Sequence, residues 1–245
     1  MLELRTFSIV ARCPRTAMLG VAVSTAVPAV GALCPYVLPA VGAVSTQSWV
    51  NPYLAIEALN LMRGGLAAPE ALSRVLERDE AADLRQVGIV DARGGAAAWT
   101  GTGCTPWCGH RTGDGFAVQG NMLVGEETVL AMARAFEATD SLDLAERMML
   151  ALEAGQAAGG DKRGKQSASI KVFGQEDYPW LDLRVDEHPY PVAELRRILC
   201  IARLQLLPFV QGMPKRGAPA GALPEATAQM LLRPPPSRPG GGGSG

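Results

Sequence analysis

The chain opens on two short runs rich in β-branched and small apolar residues, residues 6–12 (TFSIVAR) and 18–25 (MLGVAVST), with the turn-prone CPRTA between them. Such a pair predicts a hairpin. No charge occurs between Arg15 and Glu57, yet Pro28, Pro35, Pro39 and Pro52 interrupt that stretch. A membrane-spanning helix needs about twenty unbroken apolar residues, whereas buried strands read as short apolar runs with Gly/Pro breaks. Strands are therefore expected here, one of them over 40–48 (AVGAVSTQS). The period then changes. Ile56, Leu59 and Met62 recur at every third position up to Gly64-Gly65, and Leu72, Val75 and Leu76 follow Pro69, which suits a first helical position. Two short helices are predicted, the first capped by Asn51.

A second hairpin follows: residues 85–92 (RQVGIVDA), a turn at Arg93-Gly94-Gly95, then 96–101 (AAAWTG). After a Gly-rich loop, GFAVQGNML at 115–123 reads as a strand. Helical spacing returns over 126–138 (Val129, Met132, Phe136) and 142–155 (Leu144, Met148, Ala151, Leu152). Strands are expected at SASIKVF (167–173) and WLDLRVD (180–186). An amphipathic helix over 191–206 follows, with Val192, Leu195, Ile198, Leu199 and Ala202 on one face. From Met213 the chain is rich in Pro, Gly and Ala and ends in RPPPSRPGGGGSG, a composition that buries too little surface to offset ordering entropy. Its final Gly/Ser run has the composition of an expression linker. Hairpins grouped with helix pairs predict an α+β fold: two antiparallel sheets packed together, helices outside. The expected organisation is an extension at 1–5, a domain over 6–212 and a tail without fixed structure over 213–245.

Composition narrows the function classes. With 23 Lys and Arg against 24 Asp and Glu among 245 residues, the formal charge is −1. No basic excess suits nucleic acid or an anionic membrane. Five cysteines, at 13, 34, 104, 108 and 200, are an odd number in a domain large enough to need no staple, which points to reduced thiols and a cytoplasmic location. The opening MLELRTFSIVARCPR is not a secretion signal, because Arg5, Arg12, Pro14 and Arg15 break its apolar stretch.

The stretch AGGDKRGKQSAS (158–169) has the G-x-x-x-x-G-K spacing of a phosphate-binding loop. Such a loop needs a strand before it and a helix after it. Here the order is helix then strand, and Gln166 stands where a metal-binding hydroxyl belongs. Nucleotide binding is set aside; Gly159-Gly160 reads as a helix stop. What remains is a crowd of polar side chains, Asp161, Lys162, Arg163, Lys165, Gln166 and Ser167, that form either a solvated turn or the edge of a polar pocket. Cys104, Cys108 and His110 offer three metal ligands, but C-x3-C is not the usual zinc spacing and no fourth ligand is near, so buried thiols are the expected reading and no metal or cofactor is implied. Gln119 and Asn121 lie two apart and face the same way on a strand, where amides either donate to an oxyanion or satisfy turn backbone. Thr46 and Gln47 carry the same ambiguity. His188, among carboxylates in VDEHPYP, is expected at a surface turn.

Taken in order, TFSIVAR, LGVAVST, VGAVSTQSWVNP, RQVGIVD, GHRTGDGFAVQGNML, LEAGQAAGGDKRGKQSAS and DLRVDEHPYPVAELRRIL resemble a bacterial family catalogued as domain of unknown function 1028, over about residues 6–205. The resemblance implies the N-terminal-nucleophile (Ntn) hydrolase-like superfamily, with a four-layer α-β-β-α sandwich. In that superfamily the first residue of the mature chain is the nucleophile and its own α-amine the base. An α-amine of pKa about 7.7–8.0 serves near neutral pH without histidine. The corresponding residue is Thr6, which in the family commonly follows the initiator Met. This sequence departs from that pattern: MLELR precedes Thr6, and a Met followed by Leu2 is not normally trimmed, so Thr6 needs a different start or a cut after Arg5. A second departure, Cys13 in place of a common Asp, concerns the hairpin turn.

The resulting expectation is an amidohydrolase of a small polar metabolite. Thr6 and Asn121 are its catalytic candidates. Thr46, Gln47, His110, Gln119, Asp161, Arg163, Gln166 and Ser167 are candidates for substrate binding, with Arg163 the partner for a substrate carboxylate. The alternative is a non-catalytic binding or assembly protein that keeps the fold. The apolar last helix leads us to expect a homodimer.

Overall fold

The computed structural model describes residues 6–161 and 163–234. They form two compact units, which divide after Arg197. The first begins with β1 (Thr6–Arg12) and β2 (Leu19–Thr25), the expected hairpin, and continues through β3 (Pro35–Leu38) and β4 (Gly42–Ser48). Helices α1 (Pro52–Arg63) and α2 (Ala68–Leu76) follow, then β5 (Arg85–Asp91), β6 (Ala96–Thr100), β7 (Gly109–Gly113) and β8 (Phe116–Asn121). Helices α3 (Glu127–Glu137) and α4 (Leu144–Ala157) lead to β9 (Ser167–Phe173) and β10 (Pro179–Val185). Helix α5 (Pro191–Gln205) begins in the first unit and ends in the second, which also holds α6 (Leu207–Gly212) and α7 (Glu225–Leu231).

The strands make two antiparallel sheets, one ordered β10-β9-β2-β1-β8-β7 and one β3-β4-β5-β6. Leu54, Ala58, Leu59, Leu72 and Val75 of α1 and α2 cover the outer face of the four-stranded sheet through Val44, Val87 and Ile89. Helices α3 and α4 cover the outer face of the other sheet, against β1, β2 and β8. The inner faces meet through Val10, Leu19, Val21 and Ala117 on one side and Ala43 and Val90 on the other. This is a four-layer α-β-β-α sandwich.

Local chemistry explains the boundaries. Asn51 caps α1 through its side-chain oxygen, which accepts from Tyr53 N at 3.1 Å, and Asp143 caps α4 through Glu146 N at 2.9 Å. Helix α4 ends in a paired-bond stop: Gly160 N donates to Gly155 O and Gly159 N to Gln156 O, with both glycines at positive φ. Asp91 closes the β5–β6 hairpin by accepting from Arg93 N and Gly95 N, while its other oxygen accepts from Ala68 N at the start of α2.

Several expectations change. Ile56 is exposed; α1 buries Leu54, Ala55, Ala58, Leu59 and Met62 instead, a stripe at i, i+4 and i+8 rather than strict threes. Pro69 is the second residue of α2. Strands β3 and β7 were not anticipated, because a proline and a run of exposed polar residues suit only sheet edges, where both strands lie. In the second unit, α7 falls where no fixed structure was expected: EATAQML contains Glu, Ala, Gln, Met and Leu, all good helix formers. The expected boundary at 212 falls inside that unit. Residues 1–5 and 235–245 lie outside the described residues. All five cysteines are free thiols, and among the described residues no helix is long and apolar enough to cross a membrane.

Close approach of the sheets is tightest at Gly88, where a Cβ would stand 2.0 Å from Gln119 Oε1 across the gap. Gly88→Ala is expected to destabilise the protein by about 1–3 kcal/mol through overpacking, measured as a lower urea midpoint at unchanged m-value.

Candidate active site

Strand parity sets the site. In β1 the side chains of Thr6, Ser8 and Val10 face the gap between the sheets, and those of Phe7 and Ile9 face the helices. Thr6 opens β1 in register with Thr25 at the end of β2 and Asn121 at the end of β8. All three are buried. Thr6 Oγ1 donates to Thr25 Oγ1 at 3.2 Å, and the Thr6 carbonyl accepts from Gln47 Nε2 at 3.3 Å.

Along the gap the lining runs from polar at this end to apolar at the other. Next to Thr6 lies an array of wholly buried amides and hydroxyls. Gln86 is its hub: its Oε1 accepts from Gln47 Nε2 at 2.8 Å and from Asn121 Nδ2 at 2.9 Å. Its Nε2 donates to Gly120 O, Gly109 O and Thr100 Oγ1. Ser8 donates to Gln47 Oε1 at 2.6 Å, shares a hydrogen bond with Ser45 and accepts from Gln119 Nε2 at 2.6 Å. Gln86 was not among the residues singled out from the sequence, although a glutamine inside the apolar run RQVGIVD is the signal that could have found it.

The AGGDKRGKQSAS loop closes one side. Asp161 forms a β-bridge with Leu123, two residues past Asn121, and its Oδ2 accepts from Ala26 N at 3.2 Å, one residue past Thr25. Its carboxylate also accepts from Arg163 N at 2.8 Å and from the Arg163 guanidinium at 3.1 Å. Gln166 N donates to Thr25 O at 2.8 Å, and Gln166 O accepts from His188 N. Asp161, Arg163 and Gln166 are therefore stitched to the strand end beside Thr6. Ser167 is committed to the backbone: Oγ donates to Val27 O at 2.6 Å and accepts from Val30 N.

Other candidates stand elsewhere. Thr46 has the opposite parity to Gln47, and its hydroxyl donates to Asn51 O at 3.3 Å, ahead of α1. His110, on edge strand β7, is in register with Gln119 and pairs its Nδ1 with Thr100 Oγ1 at 2.8 Å, which in turn accepts from Gln86. Cys104 and Cys108 each donate to a carbonyl, of Arg85 and of Cys104 respectively, and burial pushes the Cys108 thiol up. Among the described residues no three His, Cys, Asp or Glu are arranged to hold a metal ion. At the same end Arg85 donates to Asp79 at 2.7 Å and to Trp49 O at 2.7 Å, and this pairing holds the Asp79 carboxyl below its usual range. Ser48 and Met122, the residues after Gln47 and Asn121, both take positive φ, a local strain that turns the chain away as soon as each amide is placed.

What the arrangement offers is a Thr6–Thr25 hydroxyl pair, several fixed amide donors and a carboxylate–guanidinium pair. A family model described as a family of unknown function (DUF1028) matches residues 6–195. The crystal structure of protein SPO2555 from Silicibacter pomeroyi, described with the same family model, is 29% identical, covers 90% of this chain and 96% of its own, and superimposes with a TM-score of 0.83. Anbu (ancestral beta-subunit) from Yersinia bercovieri aligns at 13% identity over 85% of this chain and 98% of its own, with a TM-score of 0.38. Comparison with the curated proteins gives no significant match.

Gln86→Leu removes the acceptor shared by Gln47 and Asn121 and three donor bonds. At about 1–3 kcal/mol for each buried group left unpaired, the expected loss exceeds about 3 kcal/mol in urea unfolding. A loss below about 1 kcal/mol would mean the array relaxes onto other partners.

Proposed function

The chain belongs to the DUF1028 family, and we propose that it is an amide hydrolase acting on a small polar metabolite with Thr6 as nucleophile. The observation that supports this most is the register that pairs Thr6 with Asn121 on one side and with Thr25 on the other, where the Thr6 hydroxyl donates to that of Thr25. A peptide bond from Arg5 occupies the Thr6 nitrogen, and the chemistry requires that bond to be opened. The freed amine then takes the Thr6 hydroxyl proton, and Oγ1 attacks the amide carbon. The resulting oxyanion is held by an N–H of Asn121, whose other amide hydrogen is fixed by Gln86. The Thr6 ammonium gives its proton to the leaving nitrogen, and water attacks the threonyl ester with the amine again as base. Arg163, whose side chain is 28% exposed and rests on the buried Asp161 carboxylate, is the cation at this end that suits a substrate carboxylate.

In this reading Gln47 and Gln119 hold the array in shape. Thr46, His110 and Ser167 have partners that suit structural roles better than contact with substrate. The test uses protein that begins at Thr6, assayed against small amides bearing a carboxylate. Thr6→Ala should lower kcat/KM by at least about 10³-fold, whereas Thr6→Ser should keep measurable turnover. Full activity in Thr6→Ala, or in material whose intact mass shows Arg5 still attached, removes the proposal. A substrate-like amide that binds but is never turned over favours the binding-protein alternative.

Self-association is supported by Leu204, Leu231 and Leu232 of the second unit, which are 72%, 52% and 78% exposed. Light scattering should give twice the 25.7 kDa chain mass; the single-chain mass would rule out a homodimer.

A further inference from the structure

A cavity of about 280 Å³ lies against the end of α4 and the start of α5, lined by Glu153, Gln156, Lys165, Tyr190, Val192 and Ala193. It stands on the opposite face of the six-stranded sheet from the Thr6 hydroxyl. A Cβ on Gly160 would be 3.1 Å from Gln156 Nε2 and 3.3 Å from the Phe7 ring. Phe7 points to the helix side of β1, whereas Thr6 points into the gap. Gln156 and the cavity it lines therefore belong to the helix side.

The polar groups of its wall select a ligand by elimination. Glu153 offers nothing to a cation, because both its oxygens accept from the Arg196 guanidinium, at 2.8 and 2.9 Å. Lys165 is uncommitted: its ammonium sits 4.8 Å above the Tyr190 ring, and it makes no ion pair among the described residues. That is a positive charge facing a cavity, ready for an anion. Gln156 supplies the opposite need. Its Oε1 is buried and accepts no hydrogen bond, so it calls for a donor. The small side chains of Val192 and Ala193 leave room for a short aliphatic group. At about 30 Å³ for each water-sized atom, the space takes about nine non-hydrogen atoms.

We infer that this cavity binds a small carboxylic acid carrying a hydrogen-bond donor on the neighbouring carbon, an α-amino or α-hydroxy acid. Its carboxylate meets Lys165, its donor meets Gln156 Oε1, and its side chain lies on Val192 and Ala193. Lys165 is four residues past Asp161 and adjoins Gln166, whose N–H is bonded to Thr25 O. A ligand that fixes Lys165 thereby steadies the loop that also borders Thr6, so occupancy of the cavity bears on the other face of the sheet.

Calorimetric titration of the full chain carrying Thr6→Ala tests the site with any turnover removed, so the outcome is independent of the reaction proposed at Thr6. The probes are L-alanine, L-lactate, propionate and ethylamine. Saturable binding of alanine and lactate is expected, with propionate about tenfold weaker for want of the donor and ethylamine silent. Lys165→Met should weaken alanine and lactate at least about tenfold, Lys165→Arg should retain them, and Gln156→Leu should erase the preference for lactate over propionate. Propionate binding as tightly as lactate, binding of ethylamine, Lys165→Met behaving as the parent, or no heat from any probe up to about 20 mM would each overturn the inference.

Discussion

The carbonyl oxygen of Gln86 accepts two amide hydrogen bonds, from Gln47 on the neighbouring strand of its own sheet and from Asn121 on the opposite sheet. A primary amide buried between sheets is costly unless it offsets the desolvation of both its oxygen and its nitrogen with hydrogen bonds. With Gln86 doing so through five partners on β4, β6, β7 and β8, neither sheet can shift against the other without orphaning several groups at once. A slip of one residue in β5 would turn Gln86 toward α1 and α2 and bring Val87 into the polar array. The register that joins Thr6, Thr25 and Asn121 is thus tied to the demand of the neighbouring Gln86 amide.

The same demand explains why the candidate site is at this end. From Val10, Val21, Ala43 and Val90 the gap is an ordinary apolar interface. From Ser8 and Gln47 onward it is a polar interior, and an interior rich in fixed amide dipoles can stabilise developing charge without reorganising. Gly88 lets the Gln119 side chain lie flat against the facing strand, and Ser48 and Met122 take strained conformations directly after two of the array's amides. Backbone strain and a glycine's missing side chain are both spent on holding these groups at fixed positions.

Much of this was legible in the sequence wherever the signal was local. Both hairpins, both helix pairs and the Gly159-Gly160 stop rest on period and turn chemistry within a few residues. The edge strands β3 and β7 lack such a signal, since an edge tolerates Pro35 and the exposed run from His110 to Thr112. Among site residues, parity decided which neighbours were separable in advance. Thr46 and Gln47 look alike as a polar pair, but a strand sends only one of them into the gap, and the partner across it had to be known to say which. Gln86 escaped notice for a related reason: its importance comes from Gln47 and Asn121, which are 39 and 35 residues away. Thr6 and the Asp161–Arg163 loop were marked through family resemblance and polar crowding, and no spacing rule links two segments 155 residues apart.

That loop shows how one short stretch can serve two faces of a sheet. Its phosphate-loop spacing is incidental, because the helix runs into it rather than out of it. Between the α4 stop and β9 it crosses the strand ends. Asp161 turns inward to Ala26 and Arg163, Gln166 bonds Thr25 and the His188 amide, and Lys165 turns outward to Tyr190. Asp161 is almost wholly buried, with a side-chain exposure of 1%. A carboxylate so placed is tolerable only while it stays paired, and Arg163 is the charge that pairs it. The guanidinium meets it as a fork, Nε reaching Oδ1 at 3.4 Å and Nη2 reaching Oδ2 at 3.1 Å. Lysine at position 163 would offer a single ammonium with no fork to match the two carboxylate oxygens. The buried Asp161 carboxylate would then lose its two-point partner, which makes the planar fork of Arg163 a condition for this loop to keep its place at the strand ends.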